Sequence, residues 1–593
     1  MDSISLKELF RKKDQFVIPA YQRAYSWQRP QRMQLIEDIK ESKGHYYLGH
    51  YLFEMNAENP DEYSIIDGQQ RMTTMVIFFS CMVHELQTRK DAKTNVNSLK
   101  RVYLHNDNDE QRFKTVEYDD PLFRGIIIDR DEESKIELSD SVRKSIDSFS
   151  QKNIIECRDY FDEEFKKQET EVLGQWIKIV EQARVTFFEV SSKIDAAQIF
   201  AFQNDRGKAL TNLEVLKSYI MLQIYVRGEK KQKELINSLE EAFRVIYRVI
   251  VKLKTPEDFV LRYFWMAYGQ RGFHTEDPMA EMKALLKTKD IKKYPEFLMT
   301  LSKAYEQVQT IEESKDAVIV NLRRENNMAW SLPVLIKASV ISNVKENTLR
   351  CLYALLENFT FRAMVRGGRA SEESRLNKLI EGAKDDSSFI DRIRLFIADL
   401  KTGYWNDGQF KQALSNGQLY GRNKACSYLL WRYEETLFGQ GYTATLYSIA
   451  DETLEHIAPQ TERNEKIASG YGIYNDPEDI NNGIESGEWL NSIGNLMLAS
   501  RSHNSSLGNK PFKDKLKSYH EASLLMQQKE VCDMFPNGED NPIWDKDKIV
   551  QRGKKIIKAA QEIWSIKKIE DLVPDKEEAL FLKEDYRVTI TRL

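Results

Sequence analysis

Cysteine is scarce in this chain. Five stand among 593 residues, at positions 81, 157, 351, 426 and 532, far apart and without a CxxC pair. That pattern excludes a disulfide framework, argues against a structural zinc site and fits a reducing, cytoplasmic setting. Long apolar runs are missing too. The longest, Met75 to Val83, has nine residues and contains a serine, whereas a membrane-spanning helix needs about 18 or more. Met1 to Phe16 is polar and mixed in charge, unlike a signal peptide. Charge of one sign is not in excess: 87 Lys+Arg face 92 Asp+Glu, a net of −5, so the chain as a whole lacks the basic footprint of a nucleic-acid binder. The phosphate-binding sequence GxxxxGK[ST] does not occur, which excludes an ordinary P-loop enzyme. Nuclease patterns of the PD…ExK and HxK kinds are absent as well.

What is present is a chain able to bury several cores, with 41% hydrophobic and 11% aromatic residues. Its length corresponds to roughly three to five domain-sized units. Changes of texture divide it into 1–228, 229–445 and 446–593. The first segment mixes short strands (Tyr46–Leu48, Tyr63–Ile66, Val185–Val190) with helices expected over Gln34–Glu41, Thr73–Gln87, Ala196–Gln203 and Asn212–Val226. The second is helical almost throughout. The third opens on a loop rich in glycine, asparagine and acids and turns basic after Trp489. The expected class is multidomain α+β.

Three segments of the first region carry chemistry: Ile18 to Trp27 (IPAYQRAYSW), Asp67 to Thr74 (DGQQRMTT) and Asn204 to Leu210 (NDRGKAL). In the second, a strand ends at Asp67 and a helix starts near Thr73. Gly68 permits a tight turn, Thr73 or Thr74 can cap the helix, the helix N-terminus favours an anion such as phosphate, and Arg71 adds a bidentate donor. Asp67 can hold a ribose, a base edge or a magnesium ion. The Arg206-Gly207-Lys208 turn repeats the theme. Tyr21, Tyr25 and Trp27 either form a wall on which a flipped modified base stacks or pack in the core. Together the three segments resemble the N-terminal domain of GmrSD-type modification-dependent restriction proteins. The resemblance implies a ParB/sulfiredoxin-like fold, nucleotide binding and hydrolysis by the DGQQR motif (with Arg23, Asp67, Gly68, Gln69, Gln70, Arg71, Thr73, Thr74, Asn204, Arg206, Gly207 and Lys208 as site residues), and sensing of DNA by Tyr21, Gln22, Tyr25 and Trp27.

The third region holds Glu455-His456-Ile457-Ala458-Pro459-Gln460, then Ile493-Gly494-Asn495-Leu496, then His503-Asn504, then Asn509-Lys510-Pro511-Phe512. Hydrolysis of a phosphodiester needs a base for water and a cation for developing charge. His456 is the natural base. Glu455 is a hard oxygen ligand for Mg²⁺ or Mn²⁺, and Asn504 can add an amide oxygen. His503 beside it could shift the ligand register by one. The pattern resembles HNH (ββα-metal) nucleases and the C-terminal domain of the GmrSD family. The resemblance makes Asn495 the structural asparagine of the site, counted with His456 among the catalytic residues, with a first strand ending at His456, a second over Leu496–Ala499 and a helix from about Ser506. Arg501, Lys510, Lys513, Lys515 and Lys517 face one acid, Asp514, over 501–517, and Arg552, Lys554, Lys555 and Lys558 form a second basic set. Both suit DNA phosphates. The reading is an Mg²⁺-dependent DNA endonuclease, dependent on or regulated by GTP or another NTP, acting on modified or phage double-stranded DNA, with a homodimer possible in principle. The alternative is a nucleotide-gated DNA-binding regulator whose nuclease is dormant.

Overall fold

The computed structural model describes residues 2–42, 46–55, 59–130, 148–190, 211–324, 328–367, 372–415, 419–420, 423–438, 452–460, 469–474, 487–521, 525–535 and 541–575. The chain divides into two compact units. One comprises Met1–Trp265 with Glu276–Glu312, the other Met266–Thr275 with Glu313–Leu593. The architecture is mostly helical α+β, and every described element between 229 and 438 is a helix. Among the described residues, no helix is long and apolar enough to cross a membrane.

The first unit is built on a mixed six-stranded sheet. Its strands are β1 (Asp2–Ser5), β2 (Gln15–Val17), β3 (Tyr47–Met55), β4 (Glu62–Asp67), β5 (Phe113–Lys114) and β6 (Arg184–Val190), in the order β1-β6-β3-β4-β2-β5. Strand β4 runs antiparallel to β3 and parallel to β2. From β4 the chain turns at Gly68 into helix α1 (Gln69–Gln87), where every residue from Met72 to Val83 is buried. A helix apolar all round belongs in a core, and α1 packs against helix α2 (Phe149–Lys166), with Phe78 edge-on to Phe161 and Phe165. The one serine of its apolar run donates to the carbonyl of Ile127 at 2.6 Å, as a buried hydroxyl must. Two further helices, α3 (Asn212–Arg227) and α4 (Gln232–Ile250), follow. Thr211 caps α3 in a reciprocal box with Glu214.

The expected start of α1 at Thr73 is four residues late. Gly68, at φ +93°, supplies the left-handed residue that lets the helix begin at Gln69. Thr73 and Thr74 therefore do not cap it. Both are buried one turn in, donating to the carbonyls of Gln69 and Gln70 at 2.8 Å. The expected helix over 196–203 lies outside the described residues.

In the second unit, helices α5 (Glu346–Arg366) and α6 (Asn423–Phe438) precede a two-stranded antiparallel pair, β7 (Glu452–His456) and β8 (Leu496–Ser500). Helix α7 (Arg501–Leu507) follows β8 directly, so it starts earlier than the expected Ser506, with Ser500 as its cap. Helices α8 (Phe512–Glu521) and α9 (Lys546–Ile563) complete the surroundings of the pair. The approach of α9 to the segment before β8 is close: a Cβ on Gly494 would lie 2.0 Å from the carbonyl oxygen of Ile549 and 2.9 Å from the nitrogen of Gly553. Gly494→Ala must push α9 outward, and we expect it to lower stability by about 1–3 kcal/mol, read as an earlier midpoint in urea unfolding of the full chain.

Candidate functional site

Successive side chains of a strand face opposite sides, and β7 uses both. Glu455 turns inward and is 3% exposed. Its Oε1 accepts from Lys515 Nζ at 2.7 Å and from the Tyr519 hydroxyl at 3.2 Å. Burial pushes the Glu455 carboxyl above its usual range, and the Lys515 charge opposes that. Next to it, His456 is half-buried. Its Nε2 lies 3.2 Å from Asn491 Oδ1 and 3.3 Å from Gln460 Nε2, and Tyr420 stands edge-on to the ring at 4.8 Å. Either tautomer finds a partner: Nε2–H donates to Asn491, and a bare Nε2 accepts from Gln460. Burial holds the imidazole pKa below its ordinary value, opposed by the Asn491 bond and assisted by the Lys515 charge. The shift favours the neutral ring, the form able to take a proton.

Asn495 holds the turn beyond His456. It is fully buried, donates from Nδ2 to the carbonyls of Leu490 and Ala458 at 2.9 and 3.1 Å, and accepts at Oδ1 from Ala458 N–H at 2.8 Å and Trp544 Nε1 at 2.9 Å. An asparagine with all four valences engaged inside the protein acts by positioning, so its grouping with the catalytic residues is corrected. Asn504 lies on α7, its Nδ2 donating to Thr453 Oγ1 at 2.8 Å and to the Leu454 carbonyl at 3.0 Å. Both ring nitrogens of His503 are engaged, with Ser518 at 2.9 Å and Gln528 at 3.1 Å, so the shifted register is disfavoured.

The basic residues separate. Arg501, Lys510, Lys513 and Lys517 are exposed. Lys515 is not: it is fully buried on Glu455, so its expected role at DNA phosphates is corrected. Arg552 is buried too, donating to the carbonyls of Leu496 and Gly494 at 2.7 and 3.0 Å and to Glu530 at 3.1 Å. Asn491, Gln460 and Tyr420 were not anticipated. Gln460 was within the quoted motif, and neither of the other two carries a sequence signal that sets it apart.

The N-terminal cluster also divides between holding and availability. Gln70 accepts from Ser26 N–H at 2.7 Å and donates to the Ala24 carbonyl at 3.0 Å, and Gln22 donates to the Ile66 carbonyl at 3.0 Å. Arg71 donates to the His50 carbonyl at 2.6 Å, lies over the Tyr51 ring, and fills the space beside Gly49, whose φ is +103°. Asp67 faces His50 Nε2 at 3.2 Å and Arg71 at 3.9 Å. Gln69 and Asp67 are half-buried. Arg23 pairs with Glu257 at 3.4 Å and Glu214 at 3.8 Å. Of the aromatic set, Tyr25 is a core residue, bonded to Thr74 at 2.9 Å and to Cys157 Sγ at 3.3 Å, which removes it from any ligand wall. Tyr21 and Trp27 stay partly exposed. Asn204, Arg206, Gly207 and Lys208 lie outside the described residues.

Two family models match the chain. Residues 6–221 match the N-terminal domain of the GmrSD restriction endonuclease, and residues 404–559 match the C-terminal domain of GmrSD restriction endonucleases. The chain belongs to the GmrSD restriction endonuclease family. No curated protein matches it. The family gives it the role of a restriction nuclease with DNA as substrate, and both clusters fall inside the matched GmrSD segments.

The metal expected on Glu455 and Asn504 does not fit the donors as arranged. The carboxylate is already neutralised by a buried ammonium, and Asn504 alone supplies one neutral oxygen. Among the described residues, no group of three or more His, Cys, Asp or Glu side chains could hold a metal ion.

A buried amine stands behind the GmrSD N-terminal motif. Lys217 on α3 donates to the Tyr21 carbonyl at 2.9 Å and is walled by the rings of Tyr21, Phe243 and Tyr247. Burial pulls its pKa down to about 8 from 10.5, with Glu214 and Glu240 opposing. A base with a lowered folded-state pKa takes up a proton more readily when unfolded. Lys217 therefore penalises folding below pH 8, and the penalty lifts as pH rises from 8 to 10.5. Relative to Lys217→Met, the wild-type chain should gain about 3 kcal/mol across that window, measured by chemical unfolding at a series of pH values.

Proposed function

We propose that this chain is a DNA endonuclease of antiphage defence. Its C-terminal part is an HNH-type (ββα-metal) nuclease. Its N-terminal part is a ParB/sulfiredoxin-like domain that binds and hydrolyses GTP or another NTP and senses modified DNA. The observation that carries the reading is His456: a half-buried imidazole between Asn491 and Gln460, at the end of the first strand of a strand–strand–helix unit.

In the reaction, with His456 Nε2–H donating to Asn491, the Nδ1 lone pair takes a proton from water, the resulting hydroxide attacks the phosphorus, and the bond to the 3′ oxygen breaks, the leaving oxygen taking a proton from solvent. Asn491 and Gln460 orient the ring by its Nε2 edge. Asn495 and Lys515 fix the peptide that carries it. Exposed Arg501, Lys510 and Lys517 support phosphate contact. Mg²⁺ (or Mn²⁺) and the nucleotide belong to the proposal as requirements implied by the family. No step is assigned to the ion, because Glu455 is occupied by Lys515.

Cleavage is tested on a panel of unmodified and modified phage DNAs, with and without each NTP and Mg²⁺. His456→Ala should slow cleavage by about 10²-fold or more while leaving nucleotide turnover intact; unchanged cleavage overturns the base assignment. The wild-type rate should fall on the acid side only below pH 6.5, because the neutral ring is required and its pKa is lowered. For the N-terminal site, Asp67→Asn is the discriminating variant, since Arg71 is committed to the backbone of β3. Asp67→Asn should reduce NTP turnover with the melting temperature unchanged. Turnover equal to wild type would remove the nucleotide site from Asp67.

A further inference from the structure

The disagreement at Glu455 has a positive content. Lys515 and Glu455 side chains are 0% and 4% exposed and 2.7 Å apart. The same ammonium donates to the carbonyls of His456 at 2.9 Å and Ile457 at 3.3 Å. Its three donors therefore meet one carboxylate and two consecutive peptides of the strand end that presents the base. A divalent ion bound by Glu455 would have to sit beside this ammonium, and magnesium ordinarily keeps several waters, for which a carboxylate so enclosed by Lys515 and Tyr519 leaves little access. We infer that Lys515 is the resident cation of the Glu455 carboxylate and a positioning residue for His456, so that Glu455 is a structural anion and any divalent ion of the reaction takes other donors. The inference rests on the nuclease reading only for its link to His456.

The position on the helix supports it. Phe512, Lys515 and Tyr519 share the buried face of α8, whereas Lys513 and Lys517 face solvent. Lys515 thus belongs with the packing residues of its helix. Breaking a buried pair by removing one partner is costly because it strands the other charge, while removing both is far better tolerated.

The test is a double-mutant cycle in the full chain with Glu455→Gln, Lys515→Met and the combined variant. Either single variant should lower the melting temperature by several degrees, and the combined variant should recover most of that loss. At each Mn²⁺ concentration, the change in melting temperature from the metal-free value should be the same for wild type and Glu455→Gln. The salt dependence of DNA binding should be the same in the combined variant as in wild type. In cleavage, the combined variant should lower kcat by tenfold or more, on the order expected when a base is misplaced, with KM for DNA unchanged. Additive melting losses, loss of a Mn²⁺-induced shift on Glu455→Gln, or a salt slope reduced by about one would each overturn the inference. A chain that never cuts DNA would overturn the proposed function instead, because the melting, Mn²⁺ and salt measurements read out without cleavage.

Discussion

The polypeptide just beyond strand β7 must run through the protein interior, and its peptide groups must be satisfied there. Burying an amide without a partner costs about 1–3 kcal/mol in proteins, so the segment from His456 to Ala458 cannot rest on apolar packing. Asn495 binds both the N–H and the carbonyl of Ala458. Lys515 binds the carbonyls of His456 and Ile457. The backbone carbonyl of Asn495 accepts from Ile457 N–H at 2.9 Å. With both sides of the turn tied, the direction of the His456 side chain follows. The support continues outward: Trp544 holds Asn495, and Arg552, reaching from α9, holds the carbonyls of the segment that carries it.

The N-terminal cluster meets the same constraint differently. There the IPAYQRAYSW segment has no strand beside it for most of its length, and side chains from neighbouring elements substitute for a ladder. Gln70 pairs with the backbone at Ala24 and Ser26, Gln22 reaches the end of β4, and Lys217 closes on the Tyr21 carbonyl. Half of the motif thus builds the scaffold. What is left facing outward is Asp67, Gln69 and the first turn of α1, beginning at a glycine that no other residue could replace without meeting the Tyr51 ring at 2.4 Å. The motif is compact because a residue type able to bind a ligand is equally able to bind a peptide group.

That ambiguity explains what the sequence allowed and what it hid. The strands over 63–66 and 185–190 and the long helices are readable because alternation and helical spacing follow directly from which face is buried, whereas the strand ending at His456 and its partner over 496–499 are legible only through the family resemblance. The chemical motifs and the family were readable because their spacing is specific. The start of α1 was misread because threonines after a glycine look like caps, while a left-handed Gly68 moved the boundary upstream. Tyr25 is indistinguishable by type from Tyr21, and only packing against α1 and α2, through Thr74 and Cys157, decides that its ring faces the core. Asn491 and Tyr420 are brought to His456 from 35 and 36 residues away by tertiary packing alone, which no local pattern records.

Lys515 and Arg552 are the more instructive cases, because a signal for them did exist. A run of basic residues suggests a phosphate-binding surface when it is read as composition. Read as a helix, it resolves into faces: Phe512, Lys515 and Tyr519 recur at intervals of three and four, as do Ile549, Arg552, Ile556 and Ala560, and each set is buried along its full length. A long cation inside an apolar stripe at helical spacing must have a partner waiting. The partners are the carboxylate and carbonyls around strands β7 and β8. The charge available for DNA is correspondingly smaller than composition implies, since two of the most centrally placed cations are spent inside the fold. In a chain whose net charge is −5, the exposed cations of the 501–517 run are then Arg501, Lys510, Lys513 and Lys517.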